Sequence, residues 1–250
     1  FIHIIKSICV NNSFYLKMYH LGEIPFSLAL SKQFSRDFLG HLLEISGKTI
    51  RAVILDLDNT LWGGNVGEDG VDSLELDHDF PGSAYIDFQK YIKSLKDRGI
   101  FLAICSKNTH DKAIEAINKL PNMVLKLDDF SSIRINWDNK SKNISDIANE
   151  LSLGMKNIAF IDDSVLEREE VKTVLPDIYV ADFPEDIVNL PSLLVNNPYF
   201  YCSTVSNDDM KRISRFKSTK HIQDNIANSV NLESFYTDLR MRCDLVPIND

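Results

Sequence analysis

The stretch AVILDLDNT (52–60) decides the fold. Ala52 to Leu55 is a short apolar run of β-formers that passes directly into acidic residues, the pattern of a strand buried on both faces of a parallel sheet. Such strands need helical crossovers, and the flanking sequence supplies them. Upstream, Phe26, Leu30, Phe34, Phe38, Leu42 and Ile45 recur at three- and four-residue steps before Gly47, an amphipathic helix whose Phe-rich stripe reads as core. Downstream, Tyr85, Phe88, Tyr91, Ile92 and Leu95 share one face of a helix over 82–98, stopped by Gly99. The alternation continues with a strand over 100–105, a helix over 111–120 and a strand around Ile133. A helix over 140–151, a strand over 158–161, a helix over 165–175 stopped by Pro176 and a strand over 178–180 follow.

This pattern predicts an α/β domain over 48–185, a doubly wound parallel sheet covered by helices on both faces. Residues 1–47 read as an N-terminal helical extension and 186–250 as a C-terminal one. In the latter, Ser206 and Asp209 form a capping-box pattern, and 231–241 reads as a second polar helix.

Composition narrows the function classes. The 250 residues are 44% apolar and 25% charged with only 10 Gly and 8 Pro, which excludes fibrous and low-complexity chains. A net charge of −9 without a long Lys/Arg run argues against nucleic acid and acidic membrane surfaces as partners. Cys9, Cys105, Cys202 and Cys243 lie far apart with no CxxC pair, so free thiols in a reducing cytoplasm are expected. The opening FIHIIKSICV is interrupted by His3 and Lys6, a poor signal peptide and too short to cross a bilayer. Starting at Phe1 without Met, the chain reads as a fragment.

In open α/β sheets ligands bind beyond the carboxyl ends of the strands, so chemistry is sought there. The first strand ends in Asp56 and Asp58, two residues apart and therefore on one side of an extended backbone, with Thr60 just beyond. The second ends in Cys105-Ser106-Lys107-Asn108, Lys140 opens the helix after the third, and the fourth ends in Asp162-Asp163. Clustered carboxylates in a partly buried site need a cation, and oxygen-only ligation selects a hard ion such as Mg²⁺. A lysine and a hydroxyl beside them suit a phosphoryl oxygen. Phosphoryl transfer follows: one aspartate attacks phosphorus and a second protonates the leaving oxygen.

These four strand ends resemble the motifs of the haloacid dehalogenase (HAD) superfamily, matched in order by Asp56/Asp58/Thr60, Ser106, Lys140 and Asp162/Asp163. The resemblance implies a HAD-like Rossmannoid fold with Asp56 as phosphorylated nucleophile and Asp58 as general acid/base. It implies that Ser106 and Lys140 hold the phosphoryl group, and that Asp163, supported by Asp162, joins Asp56 and the Asp58 carbonyl on Mg²⁺. Thr60, Lys107 and Asn108 stand with them as substrate contacts. A still closer resemblance is to the FkbH-like proteins of subfamily IIIC, which load a glyceryl unit onto an acyl carrier protein. ILDLDNTLWGGNVGEDG (54–70), AICSKN (103–108), DDFSSIRINWDNKSKNI (128–144) and FIDDSVLERE (160–169) carry it, with YHLGEIPFSLA (19–29), Gly47-Lys48 and NLESFYTDLRMRC (231–243). Asn65 departs from the apolar residue usual after Trp-Gly-Gly. Many full-length relatives continue into an acyltransferase-like domain, so a truncated chain or natural short form is expected.

The resemblance implies an enzyme of polyketide-type biosynthesis acting on 1,3-bisphosphoglycerate. The rivals are a plain phosphatase on a small phosphoester or phosphoprotein and a non-catalytic docking module. Cys105 would carry the glyceryl group as a thioester, or, since successive strand residues face opposite ways, lie buried. Arg168 would meet an anionic substrate or form a surface ion pair near Glu169 and Glu170. Trp62-Gly-Gly64 and Gly67 to Gly70 would form a flap or an ordinary surface hairpin. Arg134 and Trp137 would touch substrate, or Trp137 would pack, and His78 reads as a solvated loop residue. Only 45 residues separate Thr60 from Ser106 and 21 separate Lys140 from Asp162, leaving no room for a large cap domain.

Overall fold

In the computed structural model, residues 13–195 and 197–228 are described, with side chains described through 222. Cys9, Cys243, the 231–241 helix and the 231–243 block lie outside them. Among the described residues the helices α1 (Leu16–Gly22) and α2 (Leu28–Ile45) precede β1 (Ala52–Leu55). Then come α3 (Val66–Asp69), α4 (Gly82–Asp97), β2 (Phe101–Ser106), α5 (His110–Lys119), β3 (Ser132–Ile135) and α6 (Lys140–Leu151). The chain continues through β4 (Ile158–Ile161), α7 (Val165–Val174), β5 (Tyr179–Val180), α8 (Ser192–Val195) and α9 (Asn207–Asn228).

The five strands form one parallel sheet in the order β3-β2-β1-β4-β5. Its three central strands are buried at every residue, as runs without polar alternation require. Side-chain alternation divides the core in two. Val53, Leu55, Leu102, Ile104 and Ile161 face α4 and α5, whereas Ala52, Ile54, Phe101, Ala103 and Phe160 face α6, α7 and Ile213 of α9. This is the doubly wound α/β architecture expected. Strand order reverses between β1 and β4, so the crevice beyond their carboxyl ends is the topological switch point. The expected capping box also forms: Ser206 Oγ accepts from Asp209 N–H at 3.1 Å while Asp209 Oδ2 accepts from Ser206 N–H at 3.1 Å.

Two expectations change. The stripe on α2 is not core: Phe34, Phe38, Leu42 and Ile45 are between 47% and 72% exposed. The helix instead packs through its narrow side, with Leu30 buried and Gly40 directly beneath Tyr201, where a Cβ would lie 2.6 Å from that ring. Trp137 does not pack either and is 73% exposed. Thr60 to Ser106 is filled by α3, α4 and β2, and Lys140 to Asp162 by α6 and β4, with no inserted domain in either interval. Among the described residues no helix is long and apolar enough to cross a membrane.

Candidate active site

The first strand's hydrogen-bond ladder continues one residue past β1, Asp56 N–H donating to Ile161 O at 3.0 Å, so Asp56 is fixed beside the end of β4. One carboxylate oxygen from each of Asp56, Asp162 and Asp163 lies within 4.8 Å of the others. Asp56 is 6% exposed and Asp162 wholly buried. From the start of α6, Lys140 points into this cluster and is 1% exposed. Its ammonium donates to Asp56 Oδ1 at 2.8 Å and to Asp162 Oδ2, and pairs with Glu167 Oε2.

One cation shared among three carboxylates explains the electrostatics. Burial alone would lower Lys140, but Asp56, Asp162 and Glu167 together outweigh it and hold the ammonium well above its ordinary range. Each acid receives only part of that charge. Burial, reinforced by Asp56, pushes Asp162 up to about 7 despite Lys140. Asp163 is raised for the same two reasons. Glu167 is less enclosed: its burial is outweighed by Lys140 and by Lys107, which it meets at 3.0 Å, and its carboxyl is lowered. Four acids thus face two lysines, and the clustered Asp56, Asp162 and Asp163 offer oxygen ligands that fit a hard divalent cation.

Of the other expected residues, Ser106 is the last residue of β2 and is 2% exposed, and Thr60 has a buried hydroxyl without a hydrogen-bond partner. Asp58 stands apart from the three-acid cluster. Its Oδ1 accepts from Trp62 Nε1 at 2.9 Å and Val66 N–H at 3.1 Å, and its Oδ2 accepts from Asn108 Nδ2 at 2.8 Å. Burial raises its carboxyl, and those donors pull the other way. The Trp-Gly-Gly segment is therefore tied down. Trp62 is fully buried, and Gly63 exchanges backbone hydrogen bonds with Glu75 at 2.9 and 3.0 Å, a hairpin contact.

Cys105 and Arg168 take these places in the structure. Cys105 is a β2 residue fully buried among Ile54, Ala103, Ile144 and Phe160, its Sγ donating to the Lys140 carbonyl at 3.9 Å. Burial pushes its thiol up to about 12, against the pull of the Lys140 ammonium. Arg168 forms no ion pair with Glu169 or Glu170: its Nη1 donates to the backbone carbonyls of Asp162 and Asp163, at 2.7 Å each, and clamps the acid-bearing turn. Arg134 is likewise engaged away from the crevice, with Glu150 at 2.8 Å. Glu167 is the residue that sequence reading missed. Its signal was an acid in the first turn of the helix after Asp162-Asp163, a place where the helix dipole also favours negative charge.

No protein-family model matches the chain, and no curated protein matches it. Among solved structures it is similar to the N-terminal part of the protein BF1531 from Bacteroides fragilis, which contains a phosphatase domain and is complexed with Mg. Identity is 37% over 81% of this chain and 54% of that one, with a TM-score of 0.74. The chain thus spans about half the length of that structure. More distant matches are the 3-deoxy-D-manno-octulosonate 8-phosphate phosphatase of Moraxella catarrhalis and a predicted HAD-like family hydrolase of Porphyromonas gingivalis. The first is 17% identical, with a TM-score of 0.35 over 64% of this chain and 95% of that one. The second is 12% identical, with a TM-score of 0.33 over 68% and 98%.

Proposed function

Taking the chain as a member of the haloacid dehalogenase superfamily, we propose that it is a Mg²⁺-dependent phosphatase that forms a phosphoaspartate on Asp56. The observation that carries this reading is the meeting of Asp56, Asp162 and Asp163 at the switch point with Lys140 against Asp56. Asp56, Asp162 and Asp163 would hold Mg²⁺, which when bound neutralises charge on the transferring phosphoryl group. Lys140 orients Asp56 and, with Ser106, offers donors to phosphoryl oxygens. Lys107 and Asn108 follow Ser106 in the same loop, next to where a substrate would enter. Asp58 moves the proton, to the leaving oxygen first and from the attacking water afterwards. No domain inserted in either motif interval closes over the crevice, which suits a substrate borne on a larger molecule as well as a small one.

The finer reading is glyceryl loading from 1,3-bisphosphoglycerate onto an acyl carrier protein in the cytoplasm, and it rests on the sequence blocks around Asp56, Ser106, Lys140 and Asp162. With Cys105 buried, the acyl acceptor in that reading is a thiol of the carrier itself. The test of the coarser function is Mg²⁺-dependent release of phosphate from 4-nitrophenyl phosphate. Wild type should show it and Asp56→Asn should lose it at least ~1000-fold; equal rates for the two would reject the proposal. The mass of a carrier protein after incubation with enzyme and 1,3-bisphosphoglycerate then decides the finer reading: unchanged mass rejects it.

A further inference from the structure

Asp58 receives more hydrogen bonds than any other carboxylate of the crevice, and their distribution over its two oxygens is unequal. Oδ1 accepts two, from the Trp62 indole and the Val66 amide, while Oδ2 accepts one, from Asn108. A carboxylate oxygen has two in-plane lone pairs. Oδ1 is therefore saturated, and Oδ2 keeps one position open. The donors are themselves fixed. Trp62 is fully buried, so its ring cannot leave without opening the core. Asn108 is 3% exposed, and its Oδ1 accepts from Thr109 N–H at 2.8 Å, which sets the amide with its NH₂ toward Asp58. Val66 is fully buried at the start of α3, and Lys112 of α5 donates to the carbonyl of the next residue, Gly67, at 2.9 Å.

We infer that Oδ2 of Asp58 is the oxygen that gives and takes the proton, and that Trp62 and Asn108 are positioning residues that hold it there. The inference rests on the phosphatase reading and adds which atom acts and what aims it. In the first step an Asp56 carboxylate oxygen forms a bond to phosphorus. The bond from phosphorus to the leaving oxygen breaks with its electron pair on that oxygen, and the proton on Asp58 Oδ2 passes to it. An alcohol, phosphoaspartate and ionised Asp58 result. In the second step the water oxygen bonds to phosphorus, its proton goes to Oδ2, and the pair of the breaking acyl phosphate bond returns to Asp56. Asn108 sits two residues after Ser106, so the loop expected to grip the phosphoryl group also aims the acid.

Leaving groups separate this role from a merely structural one. An alkoxide needs the proton as it departs, whereas 4-nitrophenoxide hardly does, and kcat/KM reports the step in which the leaving group departs. The experiment compares kcat/KM for glycerol 2-phosphate and 4-nitrophenyl phosphate, with Mg²⁺, in wild type, Asp58→Asn, Trp62→Phe and Asn108→Ala. The alkyl-to-aryl ratio should fall about 100-fold or more in Asp58→Asn and about tenfold in each positioning variant. Equal losses on both substrates in Trp62→Phe and Asn108→Ala, with Asp58→Asn selective, overturn the inference alone. An unchanged ratio in Asp58→Asn overturns the Oδ2 assignment, and a wild type inactive on both substrates removes the phosphatase reading with it. Should Trp62→Phe not fold, Asn108→Ala carries the same decision.

Discussion

The molecule breaks the ordinary rule of burial in two places and in opposite directions. In the crevice it buries a lysine: Lys140 is 1% exposed, inside a ring of carboxylates. On α2 it exposes phenylalanines: Phe34 is 50% and Phe38 57% accessible, their rings stacked 6.3 Å apart on the outer face. The buried ammonium is tolerable because three acids compensate it, and those acids are tolerable because of the ammonium. No such compensation of charge operates on the outer face of α2, where Phe34, Phe38, Leu42 and Ile45 are between 47% and 72% exposed. The difference teaches that a crevice of buried charge is a single cooperative unit, whereas the residues of an exposed apolar stripe are at most weakly coupled. Substitutions should therefore have large, coupled effects in the first and small, local ones in the second.

The largest expected effect comes from Lys140→Met, close in length and without charge. It leaves Asp56, Asp162 and Glu167 facing one another around an apolar chain, and breaking a buried pair by removing one partner costs about 3–5 kcal/mol. Urea denaturation in EDTA should show that loss, with part of it restored by saturating Mg²⁺, while phosphatase activity falls at least ~100-fold. A loss below about 1 kcal/mol would mean that the three acids do not act as a unit.

Next in size is the linkage between metal and pH. Asp162 is pushed up to about 7 from 3.8, and Asp163 is also raised, so the folded metal-free chain holds these protons more tightly than the unfolded chain does. Protonated, the acids do not strain the fold; ionised, they do. Their contribution to stability is therefore retained below pH ~4 and lost as pH rises through about 7. Mg²⁺ binds the ionised form, so its stabilising increment should grow over the same interval, to about 2.7 kcal/mol at a hundredfold excess over Kd. Melting curves from pH 5 to 8 with and without Mg²⁺ check this. An increment that shrinks toward pH 8, or that survives intact in Asp163→Ala, contradicts it.

These two regions also mark how far the sequence could be read. The sheet was legible because its central strands are uninterrupted apolar runs, β1 and β4 ended by acids, and its helices carry period-3.6 stripes with Gly or Pro stops; Gly82–Asp97 and Lys140–Leu151 appear nearly where that periodicity puts them. Asp56, Lys140 and Asp162 were legible as strand-end residues, since topology alone brings them together. What was not legible depends on side-chain direction. Cys105 and Ser106 are chain neighbours, and only the true end of β2, one residue later than expected, shows that Cys105 is still strand and buried in the core. Arg168 folds back over its own turn to bind two carbonyls, which spacing cannot reveal. The stripe on α2 shows a further limit. Helix α4 and helix α2 have similar apolar periodicity, yet Tyr85, Phe88, Ile92 and Leu95 are buried while Phe34 and Phe38 are not. Periodicity announces a face; what covers it is a property of the rest of the fold.

The smallest expected effect tests that last contrast directly. Phe88 on α4 is fully buried against the sheet, and Phe88→Ala should cost about 3–5 kcal/mol through lost transfer energy and the cavity left behind. Phe38→Ser removes an aromatic ring of similar size from α2. Serine and phenylalanine have nearly the same helix propensity, so the exchange isolates the worth of the ring's contacts from that of the backbone. More than half of the Phe38 surface is already in water, and its one described ring partner is Phe34, a contact worth about 0.5–1.5 kcal/mol when buried and less when solvated. The loss in urea denaturation should thus stay below ~1 kcal/mol, with an unchanged m-value because the area exposed on unfolding barely changes. A cost of about 2 kcal/mol or more, approaching the value for burying a whole Phe side chain, would show that the outer face of α2 is covered when the chain is intact in solution.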